Sequence, residues 1–245
     1  MYDTTVYNYL HNKMIELAQE HDLLDAKIMI QTGVLTPQQA IGQPERKDFP
    51  LLKGKEKMIE ADLLGSKGQA FTNWPGTFYG ALTEVLALPL ENNQNRALFV
   101  SALNALARYT SRVSNTRHCR NEGPKLCSQQ IVPYIKEHFG SPKLGIVGLQ
   151  PALVAACSPE FSVRVLDLDP ENIGRRKEGI LIEDGEVAAN DVILWADVLL
   201  VTGSTLINNT IGDWLNINKP VIFFGNTIAG AAEFLNLKRY CPCSD

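Results

Sequence analysis

An unbroken apolar run at residues 198–201 is the clearest pattern in the chain. A polar, hydroxyl-rich turn follows it, and this combination is typical of a strand buried on both faces of a parallel sheet. Asn208, Asn209 and Thr210 are favourable caps and predict a helix directly afterwards. Such strand-end turns bind ligands in parallel sheets, because free backbone N–H groups attract negative charge. The alternative is that Gly203 only permits a tight turn and the polar side chains only cap a helix.

The same alternation of apolar runs and polar turns continues through the second half of the chain. Strands that alternate with helices need crossover connections, so the pattern predicts an α/β domain whose parallel sheet has helices on both faces. The predicted strands are 144–147, 163–166, 180–182, 198–201 and 221–224, and the predicted helices are 151–157, 191–195 and 229–235.

The first half has a mixed, α+β pattern. A helix begins at Asp3 or Thr4, and a second one, 94–110, is apolar nearly all round and should be buried at the centre. We also predict strands at 23–30 and 57–64, helices at 78–88 and from 128 to 139, and loops at 33–54 and 65–80; the aromatic residues in the last loop more often close a small core than face a ligand. The predicted domains are 1–113 and 128–245, joined by a loop at 114–127.

The turn after the predicted strand 144–147 is a candidate ligand site. Gly148 opens it, and Asp167 follows at a spacing similar to that of dinucleotide-binding folds. The glycine triplet is missing, so a smaller ligand, or the fold alone, is expected instead. Three strand-end turns should converge at one sheet edge. They give the predicted ligand-binding set Gly148, Gln150, Pro151, Asp167, Gly203, Ser204, Thr205, Asn208, Asn209, Asn226 and Thr227.

A second candidate site lies in the predicted connecting loop. His118, Cys119, Glu122 and Cys127 stand close together there, and thiolate and imidazole are good ligands for zinc and softer metals. Their spacing matches no standard structural zinc site, so the alternative is free, reduced cysteines beside solvated His118 and Glu122. The pattern assigns no role to Cys241 and Cys243.

Charge and composition limit the classes of partner that the protein is expected to bind. The net charge is -4 and no basic stripe occurs, so nucleic acid is not an expected partner. Apolar runs are too short to insert into a membrane, and no signal peptide is evident, so five cysteines in 245 residues indicate reduced thiols in the cytoplasm. No nucleophile, metalloprotease or phosphate-loop motif is present, which leaves open whether the protein is an enzyme. A homo-oligomer is also left open.

Four segments together resemble the heavy-metal chelation family of prokaryotic proteins: 65–72 (GSKGQAFT), 117–127 (RHCRNEGPKLC), 145–154 (GIVGLQPALV) and 196–210 (ADVLLVTGSTLINNT). The resemblance implies a Rossmann-like C-terminal domain and an N-terminal α+β domain similar to the enolase N-terminal domain. It also implies a ligand in the cleft between them. Because the turns after parallel strands emerge at one edge of the sheet, we expect the N-terminal domain to cover this cleft through Gly68, Phe71 and Thr72. Where the family usually has a glycine, this chain has Asn209.

Two functions follow as hypotheses. In the first, the protein binds a metal, for example a divalent heavy metal, or a metal-bearing or anionic small molecule in the cleft. In the second, it is an enzyme that uses a nucleotide-like cofactor, such as a methyl donor, at the strand-end turns beside Gly148 and Asp167. A third, non-catalytic hypothesis is a protein that only senses a ligand there.

Overall fold

The computed structural model describes residues 4–32, 42–43, 45–46, 48–49 and 56–245. The loop predicted at 33–54 therefore lies mostly outside the described residues. In the first half the elements are α1 Thr4–Glu20, β1 Lys27–Thr32, β2 Lys57–Leu63, β3 Ser66–Thr72, β4 Phe78–Ala81, α2 Leu82–Leu86 and α3 Asn93–Tyr109.

The first sheet is antiparallel, with strand order β3-β2-β1-β4. Leu64 and Gly65 both have positive φ and join β2 to β3 in a tight turn, where the Gly65 N–H donates to Asp62 Oδ1 at 2.8 Å. The loop predicted at 65–80 is therefore wrong at both ends, because residues 66–72 and 78–81 pair as strands. Trp74 and Tyr79 are exposed, so these two aromatic residues do not close a core.

Helix α3 is the centre of the first half, as its all-round apolar pattern predicts. Every residue from 96 to 107 is buried, and Asn92 caps the helix by accepting from the Asn95 N–H at 2.9 Å. The helix lies directly against β3 at Gly68, where an added Cβ would be 2.2 Å from Ala105 N and 2.4 Å from Ser101 O. Glycine is thus required at this position for helix-on-sheet packing.

The second half forms a larger sheet. Its elements are α4 Gly123–Phe139, β5 Leu144–Val147, α5 Pro151–Cys157, β6 Val163–Asp167, β7 Arg176–Lys177, β8 Ile180–Asp184, α6 Gly185–Trp195, β9 Val198–Thr202, α7 Ser204–Ile207, a 3-10 helix Ile211–Trp214, β10 Val221–Phe224, α8 Ala229–Phe234 and β11 Arg239–Tyr240.

This sheet has the order β11-β10-β9-β5-β6-β8-β7, and all its pairs are parallel except β7 with β8. The predicted α/β class is therefore confirmed. The chain runs outward from β5 through β6 to β8 and then returns to the other side of β5 with β9. The strand order thus reverses between β5 and β9, which is where open α/β sheets form a ligand crevice.

Two predicted boundaries are wrong in ways that affect the site. Helix α4 begins at Gly123, five residues before the predicted start, with Pro124 in its first turn. After β9 the helix begins at once at Ser204, so Asn208 ends that helix instead of capping the next one. Thr210 precedes the 3-10 helix, but its side chain makes no cap hydrogen bond.

One hydrophobic core cluster contains residues from both halves of the chain. It joins α1, α3 and the first sheet to one face of the parallel sheet, including Val201 and Phe223, and to Leu206 on α7. A second cluster lies on the opposite face, between α4, α5 and the same strands. The division into two domains at 113 and 128 stays a prediction. No helix in the described residues combines the length and the apolar character needed to cross a membrane.

Candidate functional site

A cavity of about 950 Å³ opens at the carboxyl edge of the parallel sheet, and we call it the strand-end cavity. The turns after β5, β9 and β10 all reach it, and the end of β3 forms part of its opposite wall. Of the residues predicted from sequence, it is lined by Phe71, Thr72, His118, Cys119, Cys127, Gly148, Gln150, Asp167, Gly203, Ser204, Thr205, Asn208 and Thr227. The predicted residues Gly68, Glu122, Pro151, Asn209 and Asn226 are not part of its lining.

The turn after β5 is fixed by Gly148 and Asp167. Gly148 has φ +87°, and a Cβ there would be 2.5 Å from Thr202 Cγ2 on the neighbouring strand. Asp167 Oδ2 accepts from the Leu149 N–H at 2.8 Å, and its Oδ1 accepts from the Asp169 N–H at 2.7 Å. Both oxygens of this carboxylate therefore already accept hydrogen bonds from backbone N–H groups, and are not free to bind the hydroxyls of a ribose.

The turn after β9 is held from the first half of the chain. The Tyr7 hydroxyl donates to the Leu206 carbonyl at 2.6 Å, and Arg96 Nε donates to the Ile207 carbonyl at 2.7 Å. These bonds satisfy carbonyls at the end of α7 and fix its position over the cavity. The Ser204 hydroxyl is half-buried in the cavity wall and has no hydrogen-bond partner among the described residues. It is therefore available to a ligand.

The buried amide of Asn104, on α3, joins the two sheets at the turn after β10. Its Nδ2 donates to the carbonyls of Gln69 at 2.9 Å and Thr227 at 3.0 Å, and its Oδ1 accepts from the Gly230 N–H at 2.7 Å. Thr227 Oγ1 in turn accepts from the Phe71 N–H at 3.1 Å. Sequence analysis missed Asn104, because one asparagine inside an apolar helix carries no pattern of its own.

The charged residues that line the cavity, as far as the structure describes them, are acidic. No Lys or Arg occurs among the described lining residues. Burial and the nearby carboxylates of Asp167 and Asp169 raise the pKa of Glu56 to about 7. Apart from Asp167, this acidic lining was also missed from sequence, because its members come from separate segments: Glu56, Asp167, Asp169, Glu171, Glu186 and Asp213.

The predicted metal residues in the connecting loop have different surroundings. Desolvation lowers the pKa of His118 to about 4, so its imidazole is neutral, and its Nδ1 is hydrogen-bonded to the Cys119 carbonyl. Burial raises the pKa of Cys119. The Glu122 side chain is 43% exposed and lies 3.8 Å from Lys125 Nζ. Of the four, only Glu122 is absent from the cavity wall.

Cys127 instead meets cysteines from the far end of the chain. Its thiol is hydrogen-bonded to that of Cys241, which lowers the pKa of Cys241 with help from the adjacent Arg239 guanidinium. The same contact, together with burial, raises the pKa of Cys127. Cys243 also contacts Cys127 and lies 4.0 Å from Gln130 Oε1. Within the part of the chain that the structure describes, no three His, Cys, Asp or Glu side chains are grouped to hold a metal ion.

Part of the second half of the chain is similar to a family of known proteins. Residues 135–236 match a family described as "Putative heavy-metal chelation". A comparison with curated proteins gives no match. A solved structure of a protein of this family from Pyrococcus horikoshii, whose function is unknown, aligns at 13% identity with a TM-score of 0.51, over 91% of this chain and 79% of that one.

A second solved structure of this family, from Desulfitobacterium hafniense DCB-2 and also of unknown function, aligns at 18% identity with a TM-score of 0.48. It covers 73% of this chain and 72% of that one. The first likeness supports the fold alone. Through residues 135–236, the resemblance predicted from sequence to the heavy-metal chelation family is confirmed.

Proposed function

We propose that this protein binds a metal ion or a metal-bearing small molecule in the strand-end cavity, between the two predicted domains. One observation carries the proposal: three strand-end turns of the parallel sheet and the end of β3 meet around one cavity of about 950 Å³. Such a volume suits a small molecule, and the position is the switch point of an open α/β sheet. The family description supports the metal.

The charge of the lining favours a cationic ligand over an anionic one. Glu56, Asp167, Glu186 and Asp213 contribute acidic groups, and the described lining residues include no Lys or Arg. Opposite charges attract most strongly in a partly enclosed site of low dielectric constant. The sequence left an anionic molecule open as a ligand, and the acidic lining argues for the metal-bearing alternative.

The side chains also favour a metal that brings some of its own ligands. The described residues include no preassembled set of three metal-binding side chains. The hydroxyl of Ser204 and the amide of Asn190 line the cavity without partners among the described residues. Hydroxyl and amide groups can bind the organic part of a chelate. We therefore favour a metal complex over a bare ion.

The enzyme hypothesis keeps one supporting observation. Gly148 adopts a left-handed turn at the end of a buried parallel strand, beside the reversal of strand order. A nucleotide-like cofactor at that turn would displace at least one backbone hydrogen bond of Asp167, which makes this the weaker proposal.

The test measures binding to the purified protein. Element analysis and native mass spectrometry identify what copurifies, and titration calorimetry then compares Ni²⁺ alone with its complex with free histidine. We expect the complex to bind more tightly. Ser204→Ala and Asn208→Ala should each weaken binding about fivefold, the value of one hydrogen bond of about 1 kcal/mol.

The matched control is Ser162→Ala, which changes an exposed serine outside the cavity. All three variants should keep the melting temperature of the wild type. A lowered melting temperature with intact binding would give Ser204 and Asn208 a purely structural role. If neither probe binds, or if both cavity variants bind like the wild type, the proposal fails.

A further inference from the structure

The last residues of the described chain form a tail, residues 239–245, that places two thiols next to α4. Arg239 fixes its start by donating to the Gly225 carbonyl at 2.8 Å and to Asn115 Oδ1 at 2.7 Å. Farther on, the Asp245 N–H donates to the Arg117 carbonyl at 3.0 Å. The tail is thus held at both ends against the loop that carries Asn115 and Arg117.

Cys241 lies between these anchors. Its carbonyl accepts from Ser244 Oγ at 2.7 Å and from Asn115 Nδ2 at 3.3 Å, so its backbone is fixed as well. The tail runs beside α4, where Cys243 Sγ lies 4.0 Å from Gln130 Oε1, and the Cys241 and Cys127 thiols line the same cavity. Cys241 also interacts electrostatically with the Arg239 guanidinium. A fixed backbone holds the Cys241 thiol on the same cavity wall as the Cys127 thiol.

Access distinguishes this thiol pair from the other cysteines. Cys127 and Cys241 are only partly buried, and both line the strand-end cavity. Cys119 also lines the cavity but is buried, and Cys157 is buried in the core on the other face of the sheet. An ion that enters the cavity can therefore reach Cys127 and Cys241 together.

We propose that Cys127 and Cys241 form a two-thiolate site for a soft, thiophilic, monovalent cation of the Cu(I) and Ag(I) type. Thiolates select such ions, which accept two-fold coordination. Each thiol that is still protonated loses its S–H bond as its sulfur–metal bond forms, its proton passes to solvent, and no electron is transferred. Arg239 then balances the single negative charge of a monovalent ion held by two thiolates.

The proposal deepens the proposed function, on which it rests for the presence of a metal in this cavity. It needs no third protein ligand, in agreement with the lack of any three-ligand group among the described side chains. Arg239 also explains the preference for one positive charge, because a divalent ion with two thiolates would be neutral beside a half-buried guanidinium.

The experiment titrates reduced full-length protein with Ag⁺, which undergoes no redox chemistry with thiols under these conditions. One equivalent should protect two thiols from iodoacetamide, and peptide mapping should locate them at Cys127 and Cys241. Proton release should lie between one and two per ion, because the Cys241 thiol is partly ionised before the metal binds. For Cu(I), competition with a chromophoric chelator under anaerobic conditions gives the affinity.

Cys127→Ser and Cys241→Ser should each weaken binding by at least about tenfold, because one of two ligands is lost. Cys157→Ser is the matched control and should bind like the wild type, as should Cys243→Ser within a few-fold. Arg239→Lys keeps the charge and should bind more tightly than Arg239→Gln. Thermal unfolding of each variant separates lost binding from lost folding.

Protection of other cysteines, wild-type binding by both single variants, or a Cys127–Cys241 disulfide formed without retained metal would each overturn the inference. The proposed function would survive that result if the Ni²⁺–histidine complex still bound in a manner that depends on Ser204. Conversely, silver binding at the thiols with no effect of the Ser204 variant would leave only the thiol site.

Discussion

At the scale of the residue, the surroundings of Glu56 disfavour the charged form of its carboxyl group. Partial burial, and then the charges of Asp167 and Asp169, raise its pKa from 4.5 to about 7. The folded protein therefore holds this proton more tightly than the unfolded chain does. Between about pH 4.5 and 7 the native state binds more protons than the unfolded chain does. The free energy of unfolding therefore decreases as pH rises through this window.

Glu56→Gln should consequently stabilise the protein at pH 8 and have little effect at pH 4.5. The amide keeps the shape of the protonated acid and removes the buried charge. We expect a gain of roughly 1–3 kcal/mol at pH 8, because partial exposure reduces the cost of ionising a group whose pKa is raised from 4.5 to about 7. Urea unfolding at the two pH values measures it. Glu186→Gln, at an exposed position in the same cavity, is the control, and equal gains for the two variants would contradict the explanation.

At the scale of the element, the turn between β5 and α5 depends on a residue without a Cβ. Gly148 combines a positive φ with contact against the methyl group of Thr202, so any side chain meets both backbone strain and overlap. Gly174 has a similar φ of +78°, but a Cβ there would meet nothing within 4 Å. Comparing substitutions at Gly148 and Gly174 therefore separates the cost of backbone strain from the cost of steric overlap.

Gly174→Ala should cost about 1 kcal/mol of unfolding free energy, for the left-handed backbone alone. Gly148→Ala should cost about 1–3 kcal/mol more, because overlap is added. Thr202→Ser removes the methyl group that the new Cβ meets and should recover part of the loss in the double variant. Equilibrium denaturation measures the free energy of unfolding of the wild type, the three single variants and the double variant. Equal costs at the two glycines, or strict additivity of Gly148→Ala and Thr202→Ser, would argue against the contact.

At the scale of the whole molecule, the two predicted domains share more than a cleft. One hydrophobic cluster contains side chains from both, and Tyr7, Arg96 and Asn104 each donate a hydrogen bond from the first half to a carbonyl of the second. Removing either half would expose that shared core and leave these buried polar groups unpaired.

The protein should therefore unfold in one cooperative transition, with coincident circular dichroism at far- and near-ultraviolet wavelengths. A fragment that spans residues 114–245 alone should bind a hydrophobic dye and lack near-ultraviolet signal. Asn104→Ala should lower the midpoint of the full chain without splitting the transition. Two separate transitions, or a natively folded fragment, would show that the halves are independent.

Much of the second half was predictable because its information is local. Strands β5, β9 and β10 are buried in the centre of a parallel sheet, so each leaves a continuous apolar run in the sequence. Helix α3 is buried on all sides, and its sequence accordingly has apolar residues nearly all round the helix. Crossover connections then fix the parallel direction, and that direction predicts which turns meet at one edge.

Tertiary structure alone decided which distant side chains meet. The glycine-rich segment became strand β3 because it pairs with β2 and leaves room for α3 at Gly68, which no local propensity indicates. Cys127 meets Cys241 through the anchored tail, and Asn104 meets the turn after β10. Local periodicity records how deeply a residue is buried, whereas the partners of a polar or thiol group are set by the packing of segments far apart in the chain.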